Sequence, residues 1–378
     1  MNFLKTIFAL SKLFFIFYFL LSCKGGGDIS VISEDPFIRE IKDSTSELNV
    51  ELGVFKNISP ELVPIRIMPI PDSDFLVVLD YVTKSVVLVD KTGMEYSKVG
   101  GPGRGPGEFK GMGRIHIGAD GLLYVMDSYF RRYNIFEIDV ENTELRYHTT
   151  IVPKPDLNFR LQEAYVTESG RFGVFNQITD YQTGENSYYL YTIDETFSPI
   201  ERLLEMPGND KLKLSQVFFI NNSVGQSTYW DLDGEWFYYI NSHSSVIKKY
   251  HLKTGKFKTI QYFEFGDRKN SSYNITSLNE ILERLIETNP PVGEAIENSK
   301  TLPLFGGFIV QDNRILFEMY YAGGENNIFL LIDQSSEKVS FMEVPPFFRR
   351  YAMQGHVIYG LGNTGLHDRQ IKFLNIYQ

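Results

Sequence analysis

Four features of this 378-residue chain are of kinds that could do chemistry. The first is Gly100–Gly107, GGPGRGPG. Glycines let backbone N–H groups close on an anion, but a phosphate loop also needs a Lys followed by Ser or Thr ahead of a helix. Pro102 and Pro106 remove donors, no such Lys is present, and a strand pattern follows. This loop is expected to be a rigid crossing. The second feature is the pair Asp80 and Asp127, which end equivalent apolar runs. Two carboxylates could hold a metal or share a proton, but Asp that recurs with a structural period is expected to bond the backbone of its own turn. The third is the set of six histidines, His116, His148, His243, His251, His356 and His367, which show no His-x-His or His-x-x-x-His spacing. A fold that assembles ligands from separate segments could still join His243 to His367. The fourth is Cys23, the sole cysteine, so no internal disulfide and no Cys-based metal site can form. No Gly-x-Ser-x-Gly elbow appears, and Ser or Cys nucleophilic catalysis has no support.

The elements that carry these residues are short strands. After the loop come short strand-like runs, Arg114–Asp120, Leu122–Asp127, Tyr133–Asp139 and Glu144–Val152, separated by turn signals such as Asp120-Gly121, with Tyr133–Asp139 mainly in period 2. Four strands in about forty residues is the period of one propeller blade. Imperfect copies begin near Phe75, Ala164, Glu235, Phe308 and Tyr351, which makes six units. The last has only three strands before the chain ends, and Leu48–Phe55 (LNVELGVF) alternates in the way a missing outer strand would. The sequence therefore predicts an all-β, six-bladed β-propeller over residues 48–378. Ser277-Leu278-Asn279-Glu280 has the form of a capping box, followed by Ile281, Leu282, Leu285 and Ile286 at helical spacing. It predicts a short helical insertion over residues 274–300, as packing filler or as a lid.

Composition agrees. Aromatics make up 15% of the chain, which favours strands, and 22% charged residues suits a globular protein. Net charge is −10. Residues 1–22 hold Lys5 and Lys12 and no acid, so their loss would leave −12. An acidic protein is poorly suited to nucleic acid, whose binding leans on cations.

Residues 1–22 read as a secretory signal, with the apolar run Phe14–Leu21 short for a membrane span. Leu20-Leu21-Ser22-Cys23 resembles a bacterial lipobox, in which the signal is cut before a Cys that then carries lipid. An uncleaved anchor with an incidental Cys is the alternative. Residues 23–47, starting Cys23-Lys24-Gly25-Gly26-Gly27, read as a polar tether.

The run VGGPGRGPGEFKGMGRIHIGADGLLYVMDSYFRRYNIFEID is similar to an NHL-type repeat, with its Gly-Pro-Gly-Glu-Phe loop, Asp-Gly turn and strand ending in Asp. With the lipobox, the chain resembles the six-bladed propeller lipoproteins of Gram-negative bacteria, closely over 62–151 and in architecture from 160 onward. The resemblance implies a protein anchored in the cell envelope through lipid on Cys23. Lys24 in place of an aspartate favours the outer membrane. Relatives of the NHL repeat include binding modules, a lyase with metal-bound histidines and calcium-dependent lactonase-like propellers. Two readings follow: a non-catalytic module that binds a small ligand or an envelope protein, or a lyase or lactonase-like enzyme using Ca or Zn. No cofactor is expected for the first. The candidate binding face gathers the turns between second and third strands with the crossings between blades: Tyr81, Arg104, Tyr129, Arg131, Tyr181, His243, Tyr321, Arg349 and His367. Aromatics with Arg on one face are the composition of a recognition surface. Replacing the lipid-bearing thiol, Cys23→Ser, is expected to move the protein from the membrane fraction to the soluble fraction; retention in the membrane would refute the lipid anchor.

Overall fold

A computed structural model of the chain describes residues 36–154, 159–215, 218–222, 225–264, 302–319, 326–345, 349–363 and 369–377. Cys23, the signal, the tether up to residue 35 and the helical insertion at 274–300 lie outside the described residues.

Six antiparallel sheets stand as the blades of a propeller. Blade 1 is β3 (Pro64–Pro69), β4 (Phe75–Asp80), β5 (Ser85–Asp90) and β6 (Glu95–Gly100). Blade 2 is β7 (Met112–Ile117), β8 (Leu122–Asp127), β9 (Arg132–Asp139) and β10 (Glu144–Ile151). Blade 3 holds β11 (Phe159–Thr167), β12 (Gly170–Ile178), β13 (Asn186–Ile193) and β14 (Pro199–Pro207). Blade 4 holds β17 (Thr228–Asp233), β18 (Trp236–Asn241), β19 (Ile247–His251) and β20 (Phe257–Ile260). Blade 5 comprises β21 (Phe305–Gln311), β22 (Arg314–Met319), β23 (Asn327–Asp333) and β24 (Lys338–Val344). Blade 6 has β25 (Arg349–Gln354), β26 (Val357–Asn363) and β27 (Arg369–Tyr377) from the C-terminal end of the chain.

The fourth strand of blade 6 is N-terminal, as the alternation at Leu48–Phe55 predicts. Strand β2 (Asn49–Val54) pairs antiparallel with β27, from Asn49 opposite Tyr377 to Val54 opposite Lys372. In blades 1 and 5 the second and third strands are strongly apolar and mostly buried, covered on both faces by neighbouring blades.

Two elements depart from the sequence reading. Residues 36–47, expected within the tether, are ordered against the propeller. Helix α1 (Pro36–Ser44) buries Phe37, Ile38 and Ile41 in a core shared by blades 4 and 5, while Arg39, Glu40 and Asp43 stay exposed. Strand β1 (Ser46–Glu47) then adds in parallel to β24. The physical reason is the i, i+1, i+4 placement of the three apolar side chains, which gives a helix one face to bury. The second departure is an extra hairpin, β15 (Lys211–Ser215) with β16 (Phe218–Asn221), between blades 3 and 4. Because Ile41 is fully buried, Ile41→Ala is expected to destabilise the propeller by about 2–5 kcal/mol, read as a lower urea midpoint. An unchanged midpoint would show that α1 is not part of the folded core.

Candidate functional site

The Gly/Pro crossing between blades 1 and 2 is built as a closed unit. Phe109 is fully buried, its N–H donates to the Gly101 carbonyl at 2.7 Å, and the Gly103 N–H donates to the Phe109 carbonyl at 3.1 Å. The Glu108 carboxylate accepts the Gly105 N–H at 2.7 Å, and a Cβ on Gly103 would fall 1.9 Å from its Oε2. Arg132 locks the loop from blade 2, donating to the carbonyls of Arg104 (2.8 Å), Gly105 (3.0 Å) and Glu108 (2.7 Å). Arg131, which the sequence reading places on the binding face, is the neighbour of this clamp. Arg131 is exposed in a left-handed conformation, φ 51°.

Asp80 and Asp127 do what recurring strand-end Asp residues were expected to do. Asp80 accepts the N–H groups of Val63, Val82 and Thr83. Asp127 accepts those of Lys110, Gly111, Tyr129 and Phe130. Both carboxylates are buried and occupied. Each turn thereby projects an exposed Tyr, Tyr81 or Tyr129, with the ammonium of Lys84 or Lys110 over its ring at 3.5 and 3.7 Å. Arg104 lies over the Phe130 ring at 5.9 Å. Of the predicted face, Tyr81, Arg104, Tyr129 and Arg131 therefore stand on adjoining upper edges of blades 1 and 2. Tyr181 is exposed in the β12–β13 turn. His243 is half-buried in the β18–β19 turn, its Nδ1 3.2 Å from the Ser242 hydroxyl. Arg349 opens β25. Tyr321 and His367 lie outside the described residues, so the His243–His367 pairing does too. Among the described residues, no three His, Cys, Asp or Glu side chains gather as metal ligands.

The sequence reading placed none of its binding-face residues in the central channel. That channel is a cavity of about 950 Å³ lined by the inner strands of all six blades. Halfway down, a polar chain crosses three blades. Arg114 on β7 donates to Glu163 Oε2 on β11 at 3.0 Å, and Trp230 on β17 donates its indole N–H to the same oxygen at 2.9 Å. Glu163 is buried, whereas half of the Arg114 side chain meets the water of the channel. The Glu163 carboxylate, closest of the charges, holds the guanidinium firmly protonated. Next along the chain, Asp231 accepts the Val310 N–H of blade 5 at 2.7 Å and the Leu232 N–H at 2.9 Å. Burial raises its pKa to about 7, against the pull of those N–H groups, and the Glu163 charge adds to the rise. Burial lowers the pKa of His116, beside Tyr165, against the pull of the Glu163 charge. On the far wall a Cβ on Gly307 would fall 2.1 Å from the Tyr351 hydroxyl, so the missing side chain makes room for it. No single segment shows this cluster, because its members lie on inner strands of different blades.

The architecture defines a closed six-bladed propeller with a polar channel and a crossing-side rim. The chain belongs to the family described as 6-bladed beta-propeller, DUF5128, which it matches over residues 67–371. No curated protein sequence matches it. Solved structures with a similar course include a DUF4221 member from Bacteroides vulgatus at 10% identity and TM-score 0.49, over 87% of this chain and 98% of that one. A luciferin-regenerating enzyme aligns at 12% and 0.46, over 86% and 95%. An oligogalacturonate lyase from Vibrio parahaemolyticus aligns at 9% and 0.44, over 88% and 98%. These are likenesses of architecture, and no activity passes from them to this chain.

The raised Asp231 pKa sets a sign for pH. The native state holds this proton between the unfolded carboxyl value near 4 and about 7, so Asp231 withdraws stability as pH rises through that window. Asp231→Asn removes the titration. Relative to wild type, the variant is expected to gain stability from pH 5 to pH 8 in urea melts; a pH-independent difference would show that Asp231 ionises normally.

Proposed function

We propose that this protein is a non-catalytic binding module of the cell envelope, held by lipid on Cys23, with the outer membrane as its site. Its docking surface is the crossing-side rim of blades 1 and 2, and its partner is anionic. One observation carries this reading. On a chain of net charge −10, this rim brings together Lys84, Lys98, Arg104, Lys110 and Arg131, while its own carboxylates Asp80 and Asp127 are buried and engaged by backbone N–H groups. The exposed Tyr81, Val82 and Tyr129 supply apolar contact among those charges. Cations around exposed tyrosines suit an acidic protein surface, where charge steers the encounter and aromatic rings hold the contact.

A poly-L-glutamate probe tests the charge preference. The Lys110→Glu/Arg131→Glu variant is expected to weaken binding at least tenfold at low salt. The control Lys253→Glu/Lys256→Glu, on the β19–β20 turn of blade 4, is expected to leave it unchanged. Equal losses in both variants would refute a specific rim.

A further inference from the structure

The cations of the channel lining stand at one depth. Arg66 on β3 and Arg114 on β7 both line the channel at mid-height. From Arg66 to Ile70, and from Arg114 to Gly118, is about four residues of strand, on the order of 13 Å. At that lower level the lining consists of turns between first and second strands, and they carry Asp72, Glu168, Asp233, Glu235 and Asp312 without a single Lys or Arg. The layer that holds both guanidinium groups, beside Glu163, Asp231 and Glu318, and the mouth that holds carboxylates alone are thus the two poles of one path. Low-dielectric walls focus such a field.

Each pole has unspent hydrogen-bonding capacity. At mid-height Glu163 takes one arm of Arg114 and the Trp230 ring lies 5.5 Å from the guanidinium carbon. The fork is held in place while half of the side chain still faces the channel, which is the preorganised geometry that suits a carboxylate. At the mouth, Glu235 Oε2 and Gln354 Oε1 are buried acceptors without a hydrogen-bond partner. Their sister atoms are used: Glu235 Oε1 accepts the Ser169 N–H at 3.2 Å, and Gln354 Nε2 donates to the Ile70 carbonyl at 3.0 Å. An ammonium offers three donors to such a mouth. Between the poles the wall includes Tyr165, Tyr229, Phe308 and Tyr351.

We propose that the channel binds a short linear peptide of three or four residues, with its C-terminal carboxylate on Arg114 and its N-terminal ammonium among the carboxylates of the mouth. An extended peptide of that length spans roughly 10–14 Å, the separation of the poles. A free amino acid carries its two charges too close together to reach both. A polyamine would place a cation against Arg114. The cavity volume suits a ligand of this size. This inference is independent of the rim, whose charge reversals leave the channel untouched.

Isothermal titration of the full chain with trialanine, its C-terminal amide, its N-acetyl form and spermidine tests it. Trialanine is expected to bind, and blocking either end is expected to weaken binding at least tenfold. Arg114→Gln should erase the preference for the free carboxylate. Should that variant fold poorly, Asp72→Asn/Glu168→Gln, at exposed positions of the mouth, should erase the preference for the free amine while keeping the preference for the free carboxylate. Equal binding of free and blocked peptides would overturn the proposal, as would no binding at millimolar trialanine. Tighter binding of spermidine than of trialanine would also overturn it.

Discussion

Everything in this molecule depends on the seam where β2 joins β27. A propeller blade is a sheet that can be covered on both faces only by two other blades, so the ring is stable when its first and last members touch. Here no covalent link closes it. The closing strand comes from the opposite end of the chain, and six register pairs between Asn49–Val54 and β27 bind the two termini into blade 6. The open edge of β27 is thereby paired, and β2 becomes the outer strand of the blade. The segment before the seam reinforces it from the neighbouring blade. Strand β1 lies along β24 of blade 5, and α1 fills the core between blades 4 and 5. One stretch of about twenty residues, 36–54, so ties three consecutive blades together.

With the ring closed, the inner strands are forced into an arrangement that their sequences alone would not favour. They crowd towards a common axis, where there is too little room for large apolar cores and too little water for free charges. The joints are accordingly polar and paired. Arg114, Glu163 and Trp230 link blades 2, 3 and 4; Asp231 reaches the Val310 N–H of blade 5. Asp312 accepts the Gly355 N–H of blade 6, and Gln354 returns to the Ile70 carbonyl of blade 1. A buried charge is tolerable only when paired and hydrogen-bonded, and Asp231 shows the margin. Its two N–H donors do not outweigh burial, so its pKa rises to about 7. The channel's polarity is first a consequence of closure, and a ligand can use what remains unpaired.

How much of this the sequence makes legible follows from how local each feature is. The blades are legible because alternation and turn chemistry lie within forty residues. Asp80 and Asp127 are legible because each bonds its own turn, two or three residues away, and the closing strand is legible because blade 6 counts one strand short. Helix α1 is not, since three apolar residues in a charged stretch look like part of a tether until something covers them. Arg132 is hidden by Arg131: the two share a composition, and only the turn's geometry decides which side chain points back at the loop. The Glu163–Trp230 bond joins residues 67 apart, and no spacing rule reaches that far. On the proposed binding face, turn position identifies Tyr81 and Tyr129, but only the structure shows that their carboxylate neighbours are sequestered and the lysines lie over the rings.

That sequestration explains how an acidic chain keeps a cationic rim. A strand-end Asp that accepts several backbone N–H groups is buried beneath its turn, so its charge is offset by oriented N–H dipoles rather than projected outward. Arg132 spends its donors on the loop carbonyls and Lys98 lies 3.8 Å from Asp80, whereas Arg104, Lys110 and Arg131 are exposed. On the opposite side of the ring, Asp233, Asp312 and Glu235 also accept N–H groups, but they do so across blade joints at the channel mouth, where they remain part of its lining. The same residue type therefore disappears electrostatically on one face and persists on the other. The charge asymmetry of the molecule runs along the propeller axis because turns of the two kinds alternate strictly between its faces. An anionic surface and a zwitterionic ligand would then meet different parts of one field, the first at the rim and the second within the ring.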